Sequence, residues 1–89
     1  MARFEFGYAN FEHGAASAIG AEGLFQLGLM YSAGRDVEVD LVEAHKWFNL
    51  AASRGNEAAK HYRMEIAREL SRAEIAKAQR LARQWLGAS

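Results

Sequence analysis

The chain is 89 residues long, which suits one domain with a modest core. Hydrophobic residues at 51% and charged residues at 25% describe a globular chain, not a disordered one. Eleven Lys and Arg balance eleven Asp and Glu, so no overall field favours nucleic acid or an anionic membrane. Cysteine is absent, which excludes disulfide frameworks and thiolate metal sites. The opening MARFEFGYANFEHG has acids and glycines where a secretory signal needs an apolar run. No apolar run approaches the roughly 20 residues of a spanning helix, so the expectation is a soluble cytoplasmic protein without a membrane partner. Proline is also absent, leaving helix open to most of the chain.

Residues 1–20 read as an N-terminal arm. Phe4, Phe6 and Tyr8 alternate in an extended pattern, and Phe11, Ala15, Ala18 and Ile19 are spaced more like a helix. Gly7, Gly14 and Gly20 interrupt both patterns. Such an arm can cover the end of its own helical stack or be exchanged with a second subunit.

The first helix is predicted from Ala21 to Ala33, with Leu24, Leu27 and Tyr31 on one stripe and Phe25, Gly28 and Met30 beside it. Gly28 costs a helix about 1 kcal/mol relative to Ala, so its place there implies a closely packed neighbour. Gly34 can end the helix in the left-handed conformation. The turn runs from Arg35 to Val39, with Val37 as its core anchor. Asp40 then caps a second helix, and Glu43 completes a D-x-x-E capping box. That helix presents Ala44, Trp47, Phe48 and Ala51, and Gly55 ends it before the Asn56 cap.

A third helix is expected from Glu57 to Leu70, burying Ala59, Tyr62, Ile66 and Leu70. Ser71 and Glu74 form an S-x-x-E box that restarts the chain. The fourth helix, Arg72 to Leu86, puts Ile75, Ala78, Ala82 and Trp85 on one face. The predicted fold is all-α: antiparallel helix pairs forming an α-solenoid fragment, four main helices with the aromatic arm in front.

The stretch 21–59 resembles the Sel-1-like repeat, a relative of the tetratricopeptide repeat. The resemblance rests on Leu27, Gly28, Met30, Tyr31, Gly34, Val37, Asp40, Ala44, Trp47, Phe48, Ala51, Ala52 and Gly55. Gly23 stands where the family usually has Ala, and Asp36 where its turn usually has a second Gly. Asp tolerates left-handed geometry, so the turn is expected to survive. Residues 60–89 do not repeat the signature and read as a C-terminal helical capping pair. The resemblance implies a non-catalytic adaptor or scaffold that binds other proteins, as family members do in signalling or envelope-related complexes of bacteria. One repeat needs neighbours, which the arm, the C-terminal pair or a second copy in a homodimer must supply.

Nothing in the sequence assembles a catalytic centre. His13, His45 and His61 form no H-x-x-x-H or H-E-x-x-H pattern, which argues against a metal. His61 reads as a solvated helix-face residue near Glu57 and Glu65, and His45 as a boundary residue. The glycines from Gly20 to Gly28 follow no strand, so they form no phosphate cradle, and no cofactor is implied. Glu65 and Glu69 interleave with Arg63 and Arg68 as a salt-bridged surface. Arg72, Lys77, Arg80 and Arg83 give the last helix a basic side, either a solvated face or a nucleic-acid contact that zero net charge disfavours. Leu24 and Leu50, with Leu29 and Met30 nearby, are apolar where the family is usually polar. They are either covered by the arm or form an exposed protein-binding patch.

Overall fold

The computed structural model describes residues 19–88. The arm expected over residues 1–20 therefore lies outside the described residues, apart from Ile19 and Gly20. Four helices follow in order among the described residues: α1 Ala21–Ala33, α2 Leu41–Ser53, α3 Glu57–Ala67 and α4 Arg72–Ala88. The all-α expectation holds.

Each boundary has a local chemical cause. Gly34 ends α1 at φ 75°, and the N–H groups of Gly34 and Arg35 both donate to Met30 O, at 2.8 and 3.0 Å. Asp36 follows at φ 64°, so an aspartate takes the left-handed position at this turn. The Asp40 carboxylate caps α2 by accepting from Glu43 N at 3.1 Å. The expected D-x-x-E box is only half formed. Asp40 N–H donates to Tyr31 O at 3.0 Å instead, and Glu43 Oε1 accepts from Trp47 Nε1 at 3.1 Å. At the end of α2, Gly55 N–H bonds Ala52 O and Asn56 N–H bonds Ala51 O, each at 3.0 Å, the paired bonds of a Schellman motif.

The third helix is shorter than its apolar spacing predicts. It ends at Ala67, and residues 68–70 tighten into i→i−3 bonds: Arg68 N–H to Glu65 O, Glu69 N–H to Ile66 O and Leu70 N–H to Ala67 O. Leu70 is thus half-buried in a turn. The S-x-x-E box at Ser71 and Glu74 is complete, with bonds of 2.8 and 3.1 Å, and α4 runs two residues past Leu86.

Helix α2 is the centre of the packing. α1, α3 and α4 all pack against it, while α3 and α4 touch each other only sparingly. Coverage on three sides buries Ala44, His45, Trp47, Phe48, Leu50 and Ala51, a wider arc than one amphipathic stripe. His45, expected at the boundary, is only 3% exposed for this reason.

The closest approach is between α1 and α2. A Cβ on Gly28 would stand 2.5 Å from two ring atoms of Phe48, so only glycine admits that fully buried ring. At Gly23, the departure from Ala, the constraint is milder: a Cβ there would meet only Ile19 Cγ2, at 3.0 Å. The Phe48 ring also stacks on Tyr62 at 5.3 Å and packs on Phe25 at 5.8 Å. Tyr62 was expected in the buried stripe of α3 but is 44% exposed, its ring stacked on Phe48 and edge to face with Phe25 at 5.4 Å. Toward α4, Trp47 meets Trp85 edge to face at 5.5 Å. The Arg54 guanidinium lies 5.7 Å from the Trp85 ring, and its Nη1 donates to Ile19 O at 2.7 Å. One arginine therefore ties the start of α1 to α4.

Candidate protein-interaction surface

The apolar residues that stood out in the sequence do not form a free patch. Leu24 is 0% exposed, Leu50 2% and Met30 5%, and Leu29 is half-buried against the core. Leu50 lies on α2, the helix that packs against α1, α3 and α4, and Leu24 and Met30 belong to the same core cluster from α1. The other repeat-signature residues have structural places. Leu27, Ala44, Trp47, Phe48 and Ala51 are core, Tyr31, Val37 and Ala52 pack partly buried against it, and Gly28, Gly34, Asp40 and Gly55 shape the approach and the helix ends.

The large apolar side chains left exposed among the described residues are Val39 in the turn before α2, Tyr62 and Met64 on α3, and Leu86 on α4. Tyr62, Met64 and Leu86 are exposed to 44%, 59% and 47%. Scattered apolar exposure is ordinary, but Leu86 is part of a groove. That groove, about 390 Å³ in volume, is lined by Asn49, Leu50 and Ser53 of α2 and Gln79, Ala82, Arg83 and Leu86 of α4. Four of its lining residues are polar, and since Leu50 and Ala82 are only 2% and 3% exposed, its accessible apolar surface is mainly Leu86. Arg63 of α3 reaches across to α2, where its Nη1 donates to Asn49 Oδ1 at 2.7 Å. The ion pairs expected among Arg63, Glu65, Arg68 and Glu69 are absent among the described residues; α3 instead pairs Lys60 with Glu57 at 3.5 Å, and α2 pairs Lys46 with Glu43 at 3.0 Å. His61 is exposed, as expected for a helix-face residue, but makes no ion pair among those residues.

The groove was missed because its two walls are distant in sequence. Its α4 wall was visible as a basic side with Leu86 flanking the apolar face, and nothing local tells that Leu50 would lie opposite.

His45 is the one described buried polar side chain with an unsatisfied atom, its Nδ1. Burial lowers its pKa below the usual histidine value, and the Arg63 charge lowers it further. Burial therefore favours the neutral imidazole. Among the described residues no cluster of His, Asp and Glu could hold a metal ion, and no helix is long and apolar enough to cross a membrane.

Comparison with known protein families matches residues 21–56 to the Sel1 repeat. The match spans α1, the turn, α2 and the Asn56 cap of α3. No curated protein and no solved structure matches the chain.

Proposed function

We propose, from the premise that residues 21–56 form a Sel1 repeat, that this chain is a non-catalytic adaptor that binds another protein through its outer helical surface. Sel1 repeats are protein-interaction modules, and the match to that family is the observation that carries the reading. The geometry supports it in a specific way. The repeat spends its apolar side chains on holding α1, α3 and α4 around α2, so binding falls to what those helices turn outward. The described residues offer a largely polar groove between α2 and α4 with Leu86 at its edge, and exposed side chains on α3 and α4, a surface that a peptide can contact.

Affinity capture from the native cell tests the proposal, comparing the full chain with a Gly28→Val variant in which α1 cannot close on Phe48. A protein retained at defined stoichiometry by the parent chain and lost with the variant is the expected result. Recovery of the same proteins by both chains, or of none by either, would defeat it. Light scattering on the purified chain distinguishes a foreign partner from a second copy.

A further inference from the structure

One side chain joins the buried histidine to the groove. His45 and Asn49 lie a turn apart on α2 and so share a face. Arg63 reaches that face from α3: its Nη1 donates to Asn49 Oδ1 at 2.7 Å, and its charge acts on the His45 ring. Asn49 in turn lines the α2–α4 groove with Ser53, Gln79 and Arg83. While Arg63 holds its amide oxygen, Asn49 has only the Nδ2 hydrogens to offer the groove.

This cluster suits a neutral ring and gives a charged one nothing in return. His45 is 3% exposed, and its Nδ1 has no hydrogen-bond partner among the described residues. A protonated imidazole would need acceptors for both nitrogens in that enclosed place. The other charged groups on the helices around α2 point to water. Glu22 on α1 is exposed, as are Glu57, Lys60, His61 and Glu65 on α3. So are Glu74, Lys77 and the arginine edge of α4, Arg72, Arg80 and Arg83. On α2 itself Glu43 is paired with Lys46 at 3.0 Å. Arg63 is half-buried and bears the same sign as a protonated ring. Burial and that charge both hold the pKa of His45 below the ordinary histidine value.

We propose that His45 is an acid-sensitive latch on the α2–α4 groove: charging its ring drives the Arg63 guanidinium off Asn49 and frees the Asn49 amide to turn. Of the two like charges, Arg63 is the one able to leave, because its long stem can carry its head into water while the ring is enclosed. The groove then exchanges a fixed amide donor for an amide that can also accept. This goes beyond the protein-binding reading and does not depend on it.

The test is a pH titration of the isotope-labelled full chain by NMR, from about pH 7.5 to about pH 4.5, which brackets the histidine range. It follows the His45 ring and the Asn49 side-chain amide, with circular dichroism reporting helix content. The Asn49 signals should shift with the same midpoint as His45, below the ordinary histidine value, while helix content holds. Arg63→Gln removes the like charge, so the His45 midpoint should rise and the Asn49 signals should cease to follow it. Arg63→Lys keeps the charge and should keep the midpoint low, which separates electrostatic coupling from a merely structural role. Asn49 signals that ignore the His45 step, or a His45 midpoint that is the same in Arg63→Gln, overturn the latch. Loss of all helix together with His45 protonation overturns it too, since acid then acts on the whole fold. No partner enters the experiment, so its failure leaves the protein-binding reading standing.

Discussion

The α1–α2 hairpin and the α3–α4 segment contribute to one core in unequal ways. Among the described residues, eight of the twelve buried apolar ones lie on α1 and α2, including Leu24, Phe48 and Leu50, the largest side chains with almost no exposure. The later helices contribute Ala59, Ile66, Ala78 and Ala82, small residues apart from the isoleucine. Large interlocking side chains hold the first pair together, whereas small ones let α3 and α4 lie close to α2 with little side-chain volume committed. The repeat is thus the stability-bearing half. The second half keeps more of its surface chemistry outward, which is where the groove and the arginine edge lie.

Deleting volume on each side gives the largest test of that contrast. Phe48→Ala should cost about 4 kcal/mol, and Ile66→Ala nearer 2 kcal/mol. Urea denaturation of the two variants measures this, and equal losses would erase the distinction. Next comes overfilling the close approach. Gly28→Ala places a methyl against the Phe48 ring and should lose about 2 kcal/mol, even though alanine favours helix by about 1 kcal/mol. Adding Phe48→Leu should recover part of that loss. No recovery would mean that the contact is not the cause.

A pH dependence of stability is expected from His45 on α2, which feels the charge of Arg63 on α3. The folded pKa of His45 lies below its unfolded value, so between the two the unfolded chain binds more protons. The stability tied to the neutral ring is present above about pH 6.5 and is lost as pH falls through the folded pKa. The denaturation midpoint should drop on acidification from pH 7.5 to 5, and drop less in His45→Leu. Parallel profiles for the two chains would remove His45 as the cause.

The smallest effects are at the caps. Asp40→Ala should cost about 1 kcal/mol. Ser71→Ala should cost a similar amount or less. The two should differ in reach: loss of the Asp40 cap lowers global stability, while loss of the Ser71 cap frays α4. Amide exchange separates these outcomes, with protection changing across α1 and α2 in one case and only in the first turn of α4 in the other.

Features set within a few residues were legible from the sequence. Gly34 and Gly55 marked chain reversals, Asp40 and Asn56 marked helix starts, and the Gly28 anomaly pointed to a close neighbour that proved to be Phe48. The repeat was recognisable because its spacing follows from such local demands. His45, Tyr62 and Leu50 were read less well for a shared reason. Helical periodicity shows which residues share a face but not how many faces a helix buries.

The sequence by itself determined that this chain forms a Sel1-type pair of helices and continues as helix, because caps, left-handed turn positions and apolar spacing act over a few residues. Only the tertiary structure decided that α2 would be covered on three sides. That choice placed Leu24, Met30 and Leu50 in the interior and opened a groove beside the α4 arginines. It depends on contacts between residues some 30 positions apart, such as Leu50 and Ala82, whose proximity is settled only when all the helices pack together.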